Sequence, residues 1–224
     1  LLHGSPAADR ARGAAWEDPG GLEALAAALR DAGGRVACVE ADLARAEAPA
    51  RLVEEARRHL GRLDVVVAGH AYWSGQGVDT LTAEDLDRHL AVNVRATLLL
   101  VSAFARGHDG APGGRVVLLL SGTHRGPMTG ELGYVAGKGA LHQLVPSLAA
   151  ELAPRRITVN GVNPGPTDTG WVSERLRPEL LRRAPMGRVG EPDDAARLVA
   201  WLVSDEAAWI TGQVIDSEGG FVRG

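Results

Sequence analysis

Three residues with acid–base or hydrogen-bonding side chains, Ser121, Tyr134 and Lys138, lie within one short stretch of the sequence. Ser121 directly follows the apolar run Val116 to Leu120, which is typical of a strand buried on both faces. Tyr134 and Lys138 are four residues apart on a predicted helix, so they share one face. Because a nearby ammonium favours the phenolate, it would lower the pKa of Tyr134 from about 10 and suit this phenol to proton transfer.

Composition supports a special role for the ammonium. Lysine and arginine together number 24, and Lys138 is the only lysine. The chain uses arginine for its other cations, so a lysine here indicates a task that a planar guanidinium does not perform. Tyrosine is also scarce, with Tyr72 and Tyr134 the only two. The alternative is that Lys138 has no special role and Tyr134 is a half-buried helix residue. The composition favours a functional role for both residues.

The overall composition limits the class of protein. The chain has 224 residues, 45% of them hydrophobic and 23% charged, which predicts one globular domain spanning residues 1–224. A net charge of −4 favours neither nucleic acid nor an anionic membrane as a partner. A single cysteine, Cys38, excludes an internal disulfide. We see neither a signal peptide nor an apolar run of about eighteen residues, so we expect a cytoplasmic protein.

Apolar runs alternate with amphipathic segments along the whole chain. Helices of ten or more residues between strands imply right-handed βαβ units and a parallel sheet. We therefore predict an α/β fold, a doubly wound parallel sheet (Rossmann fold) in three α/β/α layers. The predicted strands are Arg35–Glu40, Leu63–Ala68, Val116–Leu120, Ile157–Val162 and Gln213–Asp216. The predicted helices are one capped by Asp18-Pro19, then Pro49–Leu60, one from Thr82 through Val101, Glu131–Ala153, Trp171–Arg183 and Glu191–Val203.

Four features follow predicted strand ends: Asp42, Gly69, Ser121 and the loop 163–166. In sheets of this kind ligands bind beyond the carboxyl ends of the strands. A turn or cap explains each feature singly, but one shared edge of the sheet explains them together.

The pattern Ser121, Tyr134-x-x-x-Lys138, with Asn93 upstream, resembles the classical short-chain dehydrogenases/reductases, and in particular their 3-oxoacyl reductases. The resemblance runs from about Asp42 to Gly220. It implies that Tyr134 is the general acid or base, that Lys138 also binds the nicotinamide ribose, that Ser121 orients a carbonyl and that Asn93 holds a relay water. The alternative for Asn93 is a solvent-facing helix residue.

The same resemblance implies a dinucleotide site. Asp42-Leu43 would contact adenine, and Gly69 would allow close backbone approach. Pro164-Gly165 would frame the nicotinamide, with Thr167 and Thr169 near its carboxamide or phosphates. An acid at the end of the second family strand would favour NAD, whereas residues 1–6 contain none. The first acid is Asp9, and Arg10 and Arg12 could contact a 2′-phosphate, so we expect NADP, with NAD not excluded.

Two departures from the family pattern concern the cofactor. The opening strand and its Gly-rich loop, which presents backbone N–H groups to the pyrophosphate, are absent, so we expect roughly thirty residues to precede Leu1 in the natural protein. The family's Asn-Asn-Ala-Gly is replaced by Ala68-Gly69-His70-Ala71. The second change puts cofactor affinity in more doubt than the catalytic set.

The substrate should lie between the loop after Ser121 and the segment 171–185. That segment is either a lid or a surface helix anchored by its apolar residues. The other histidines lack metal-ligand spacing, and we assign no metal site. Candidate pocket residues are Trp73, His124, Met128, Trp171 and Met186, together with Arg125, Glu131 and Leu132. They suit a ketone or secondary alcohol of medium size.

The resulting hypothesis is an NAD(P)-dependent oxidoreductase, most simply a carbonyl reductase that uses NADPH. One alternative is a non-catalytic dinucleotide-binding regulator or scaffold on the same fold. Another is a lyase or epimerase with a bound nicotinamide, against which the short C-terminal region counts. By resemblance we expect a homodimer or homotetramer packed through the apolar faces of 86–101 and 141–152, although these could be ordinary core.

Overall fold

The computed structural model of the chain describes residues 1–4 and 21–223. The proposed 2′-phosphate contacts Arg10 and Arg12, the acid Asp9, and the predicted helix start at Asp18-Pro19 lie outside the described residues.

All the described strands pair in parallel. β1 pairs with β2, and the other four form a sheet in the order β3-β4-β5-β6. Parallel pairing along the chain confirms the predicted βαβ units. The described strands therefore form two separate sheets, one of two strands and one of four, rather than one continuous sheet. The strands are β1 (Leu2–Gly4), β2 (Cys38–Glu40), β3 (Val65–Ala68), β4 (Gly114–Leu119), β5 (Ile157–Asn163) and β6 (Val214–Asp216).

Seven α-helices connect these strands in the described part of the chain. They are α1 (Gly21–Asp31), α2 (Ala48–Leu60), α3 (Ala83–His89), α4 (Ala96–Arg106), α5 (Leu132–Leu152), α6 (Arg177–Arg182) and α7 (Pro192–Leu202). The helix predicted to start at Thr82 is capped by that residue, whose side chain accepts a hydrogen bond of 3.1 Å from the Asp85 amide. The long helix predicted to run through Val101 is confirmed as one helical run from Ala83 to Arg106, with the π-helix Leu90–Arg95 inserted between α3 and α4.

Helices cover both faces of the four-stranded sheet. Val116 and Leu118 of β4 belong to a core shared with α4 and α5. Val117, between them in sequence, belongs to a second core with Leu202 of α7. Successive residues of one strand thus point into different layers, as the continuous apolar run predicted. This alternation confirms the three-layer α/β/α arrangement.

The apolar face of 141–152 is part of this core, whereas the face of 86–101 is only partly buried, with Leu90 39% exposed. Val101, Leu141 and Leu152 are buried within the chain itself. The core reading of these residues, left open above, therefore accounts for them without a second subunit. Among the described residues, no helix is both long and apolar enough to span a membrane.

Candidate active site

Helix α5 lies directly against the π-helix because glycines face it. A Cβ added at Gly133 would lie 2.6 Å from Nδ1 of His89, and one added at Gly137 would lie 3.1 Å from Cβ of Asn93. The two glycines are four residues apart, as are their two partners, so one helix face meets another. Tyr134 and Lys138 are the next residues after these glycines, and the close packing sets their positions.

Asn93 is fully buried, so the solvent-facing alternative is wrong. Its side chain holds the backbone of Tyr72 by two hydrogen bonds: Oδ1 accepts from the Tyr72 amide at 2.7 Å, and Nδ2 donates to the Tyr72 carbonyl at 2.9 Å. The residue lies inside the π-helix, a distortion found frequently at functional sites. Asn93 therefore joins the loop after β3 to the helices around Tyr134.

Ser121 and Tyr134 interact through their side chains. Ser121 has an extended backbone just beyond β4, and a one-turn 3₁₀-helix, Gly122–His124, follows it. Burial raises the pKa of the Tyr134 phenol, a hydrogen bond with Ser121 opposes this rise, and the Glu131 carboxylate adds to it. The hydroxyl of Ser121 also lies 3.8 Å from Sδ of Met128.

Lys138 is buried, with 3% of the residue exposed. Its Nζ donates to the Leu119 carbonyl at 2.7 Å and lies 6.0 Å from the centroid of the Tyr134 ring. Burial lowers the pKa of Lys138 to about 8. The pKa of Tyr134 is raised in this structure rather than lowered as predicted, because burial outweighs the hydrogen bond with Ser121.

His70 belongs to the same site, although the sequence analysis gave it no role. Its Nε2 lies 3.0 Å from the Thr97 hydroxyl, which donates to the Asn93 carbonyl at 2.7 Å. Burial, with a smaller contribution from the charge of Lys138, lowers the pKa of His70 to about 4, so the imidazole is neutral. The signal was the replacement of the family's Asn-Asn-Ala-Gly at this point in the sequence.

Asp85 braces the loop that Asn93 holds. Its carboxylate accepts hydrogen bonds from the Tyr72 hydroxyl at 3.0 Å and from the Ser74 hydroxyl at 2.7 Å. Its carbonyl lies 2.9 Å from Nδ1 of His89, the histidine against Gly133. These polar contacts hold the loop around Tyr72 against α3, and the sequence pattern did not reveal them.

The residues predicted to lie near the adenine, Asp42, Leu43 and Gly69, differ from one another in burial and contacts. Oδ1 of Asp42 accepts from the Ala44 amide at 2.8 Å, which fixes a turn after β2. Leu43 is buried in a small core with Leu52 and Ala96, so only its backbone is available to a ligand. Gly69 is exposed, and a Cβ added there would meet no atom within 4 Å.

The loop after β5 is held by its own polar groups. Oδ1 of Asn163 accepts from the Gly165 amide at 3.0 Å, and the Thr167 hydroxyl donates to the Pro164 carbonyl at 3.1 Å. Gly165 has a φ of 63°, a value that favours glycine. Thr169 is exposed.

The structure brings some of the predicted pocket residues to Tyr134. Trp73 donates from Nε1 to Glu131 at 2.9 Å, and Glu131 acts on the pKa of Tyr134. Met128 contacts Ser121, as described above. His124 instead lies against the sheet edge, with Nε2 3.2 Å from Asp216 and its ring centroid 4.4 Å from that of His142.

Two further pocket candidates lie among the C-terminal elements. Trp171 donates from Nε1 to the Thr167 carbonyl at 2.6 Å and packs on a small apolar cluster that includes Leu180. Met186 is 69% exposed and approaches Gly219. These contacts agree with a surface helix and with a lid, so both interpretations stay open.

Comparison with known proteins supports the resemblance. A family model described as Enoyl-(Acyl carrier protein) reductase matches residues 14–222. The chain is 45% identical over 194 residues to "Uncharacterized oxidoreductase YjdA" of Bacillus subtilis (strain 168), covering 86% of this chain and 77% of that protein.

Solved structures agree. A short-chain dehydrogenase/reductase from Serratia marcescens BCRC 10948 superposes with a TM-score of 0.83 at 35% identity, covering 97% of this chain and 86% of that one. The angucycline C-6 ketoreductase LanV with bound NADP gives a TM-score of 0.83 at 32% identity, covering 97% and 83%. The family model, the relatives and the fold all coincide, and the chain belongs to the short-chain dehydrogenase/reductase family of oxidoreductases.

Proposed function

We propose that this protein is an NADPH-dependent carbonyl reductase that interconverts a medium-sized ketone and its secondary alcohol. The observation that carries the proposal is the side-chain interaction of Ser121 with Tyr134 beside the buried ammonium of Lys138. A hydroxyl, a phenol and a cation together can hold a carbonyl oxygen and give it a proton.

The proposed roles are those that the family resemblance implies. Ser121 donates a hydrogen bond to the carbonyl oxygen, where negative charge develops during reduction. Tyr134 donates the proton, because a phenol is protonated near neutral pH, as a general acid requires. Asn93, whose carbonyl already accepts from Thr97, is the proposed site of a relay water.

The residues present fit a nicotinamide dinucleotide. Bound there, the cofactor supplies the hydride. One of the three ammonium N–H groups of Lys138 donates a hydrogen bond to the Leu119 carbonyl, so two remain to donate to ribose hydroxyls. The exposed, open backbone at Gly69 leaves room for close approach. The other proposed cofactor contacts are Asp42, the backbone of Leu43, Tyr134, Pro164, Gly165, Thr167 and Thr169.

NADP is proposed over NAD on two grounds. The segment from Leu1 to Pro6, which includes β1, carries no acid to bind a ribose 2′-hydroxyl. One related ketoreductase is described with NADP bound. We further propose the pocket residues Trp73, His124, Met128, Trp171 and Met186, a single domain, a homodimer or homotetramer, and a cytoplasmic location.

The test is oxidation of NADPH and NADH by the full-length protein with a panel of ketones. We expect turnover with NADPH, and a lower kcat/KM with NADH. Tight NADPH binding without turnover of any ketone or secondary alcohol would overturn the proposal in favour of the non-catalytic regulator. A higher kcat/KM with NADH would overturn the cofactor assignment alone.

A further inference from the structure

The last residues of the described chain fold back on the buried carboxylate of Glu218. Gly219 and Gly220, with φ of 59° and 74°, turn the chain after β6. Arg223 then donates from Nη1 to Oε2 of Glu218. The side chains of Glu218 and Arg223 are only 3% and 11% exposed. A charged pair this buried is expensive to desolvate unless further polar contacts satisfy it.

Arg223 lies across the loop that follows Ser121. A Cβ added at Gly122 would lie 2.2 Å from Cζ of Arg223, so the guanidinium rests on the Gly122 backbone. A Cβ added at Gly126 would lie 2.8 Å from Cβ of Arg223. The Arg223 side chain thus packs on the backbone of both glycines, and Gly122 is the residue next to Ser121, the serine proposed to hold the carbonyl oxygen.

Glu218 contacts the other side of the site. Its Oε2 accepts from Nδ2 of Asn163 at 2.9 Å, and a Cβ added at Gly165 would lie 2.3 Å from the Glu218 Cβ. Asn163 and Gly165 belong to the loop proposed to frame the nicotinamide. Arg125, in the Ser121 loop, approaches Oε1 of Glu218 at 3.5 Å.

The residues between the pair reach the segment proposed as a lid. The Val222 amide donates to the Arg183 carbonyl at 2.9 Å. Phe221 is buried with Val172 and Leu180 in the apolar cluster of that segment. The segment Glu218–Arg223 therefore contacts the Ser121 loop, the Asn163 loop and residues 172–183.

We propose that Arg223 is a positioning residue for Ser121, and that the Glu218–Arg223 pair holds the Ser121 loop in place against the Asn163 loop. The role of Ser121 in carbonyl reduction rests on the proposed function. The physical reason is that glycines of both loops face the pair, so the side chains of Arg223 and Glu218 pack directly on the loop backbones. A small displacement of a positioning hydroxyl is costly to catalysis.

The experiment compares Arg223→Ala, Gly122→Ala and the double variant in the full-length protein, with Arg197→Ala as control. Arg197 forms an ion pair with Asp193 in which both side chains are 75% exposed. Gly122→Ala inserts a methyl group where the guanidinium lies. It displaces Arg223 without deleting it, and Arg223→Ala vacates the space for that methyl group.

We expect Arg223→Ala and Gly122→Ala each to lower kcat/KM for the ketone about tenfold or more, while the Kd for NADPH changes less than about twofold. We expect the double variant to be no worse than Arg223→Ala alone, because both changes remove the same contact. General destabilisation would not produce this non-additivity. Arg223→Lys, which keeps a charge opposite Glu218, should restore part of the lost kcat/KM.

Amide exchange of residues 122–126 tests the contact independently of turnover. We expect Arg223→Ala to raise their exchange rates and Arg197→Ala to leave them unchanged. Unchanged exchange in Arg223→Ala, kinetics equal to the control, or additive losses in the double variant would each overturn the proposal. If the wild-type protein reduces no ketone, the proposed function fails, while the exchange result still decides whether Arg223 holds the loop.

Discussion

Gly137 and Asn93 are in direct contact, and a single added Cβ at Gly137 would come within 3.1 Å of the Asn93 side chain. This contact brings the backbone before Lys138 onto the π-helix. One turn earlier, Gly133 makes the same approach to His89. Because Gly133 and Gly137 have no Cβ, the helix that carries Tyr134 and Lys138 can pack this closely against His89 and Asn93.

Gly133→Ala should destabilise the fold by about 1–3 kcal/mol, because the new Cβ would overlap the buried ring of His89. Gly139→Ala is the matched control on the same helix, since a Cβ there meets nothing within 4 Å. It should be neutral or stabilising by up to about 1 kcal/mol. Denaturant unfolding measures both, and equal effects would contradict the packing argument.

Asn93→Ala should free the backbone of Tyr72, because both of its hydrogen bonds to Asn93 are lost. We expect a loss of stability of about 1–3 kcal/mol for each unpaired group and faster exchange of the Tyr72 amide. Asn160→Ala removes a similar clamp elsewhere, where Asn160 bonds Ile210 and Gln213. It should destabilise the protein without exposing the Tyr72 amide; exposure in both variants would indicate global opening.

Lys138 should make stability depend on pH in the alkaline range. Its pKa is about 8 in the fold, below the usual value, so the unfolded chain binds more protons between these values and stability rises with pH. Relative to Lys138→Met, the wild-type free energy of unfolding should increase by about 2 kcal/mol between about pH 7.5 and 9.5. Denaturant unfolding at several pH values measures it, and a constant difference would show that Lys138 has an unshifted pKa.

Glu131→Gln should move the alkaline limb of the pH–rate profile for reduction to lower pH. The Glu131 carboxylate raises the pKa of Tyr134, and removing its charge makes the phenol easier to ionise. Glutamine retains an acceptor for Nε1 of Trp73. Glu151→Gln, on the exposed far end of α5, is the control and should leave the limb in place. A shift in the opposite direction would exclude Tyr134 as the titrating group.

The fold and the placement of Ser121, Tyr134 and Lys138 were predictable because their signals are local. The apolar run before Ser121 identified a buried strand, and the spacing of Tyr134 and Lys138 placed them on one helix face. The position of strand ends at one sheet edge followed from parallel topology alone. None of these inferences required knowledge of a distant contact.

What the sequence did not predict depends on contacts between distant residues. The π-helix around Asn93 interrupts a regular apolar period. The pKa of Tyr134 rises because burial outweighs the hydrogen bond with Ser121, and spacing on a helix does not reveal burial. Arg223, near the C-terminal end of the sequence, contacts Gly122 in the middle of it. His70, which follows β3, contacts Thr97 of α4. Such pairings arise from tertiary packing and have no periodicity to detect.

The most direct measurement is a single turnover with NADPH carrying deuterium at its transferable position, using the full-length protein and Tyr134→Phe. For a ketone that the wild-type protein reduces, mass spectrometry should find deuterium on the carbinol carbon. The Tyr134→Phe variant should bind NADPH with a similar Kd, yet form product at least about a hundredfold more slowly. Equal rates of deuterium transfer in the two proteins would contradict the account, because the proton would then come from another group.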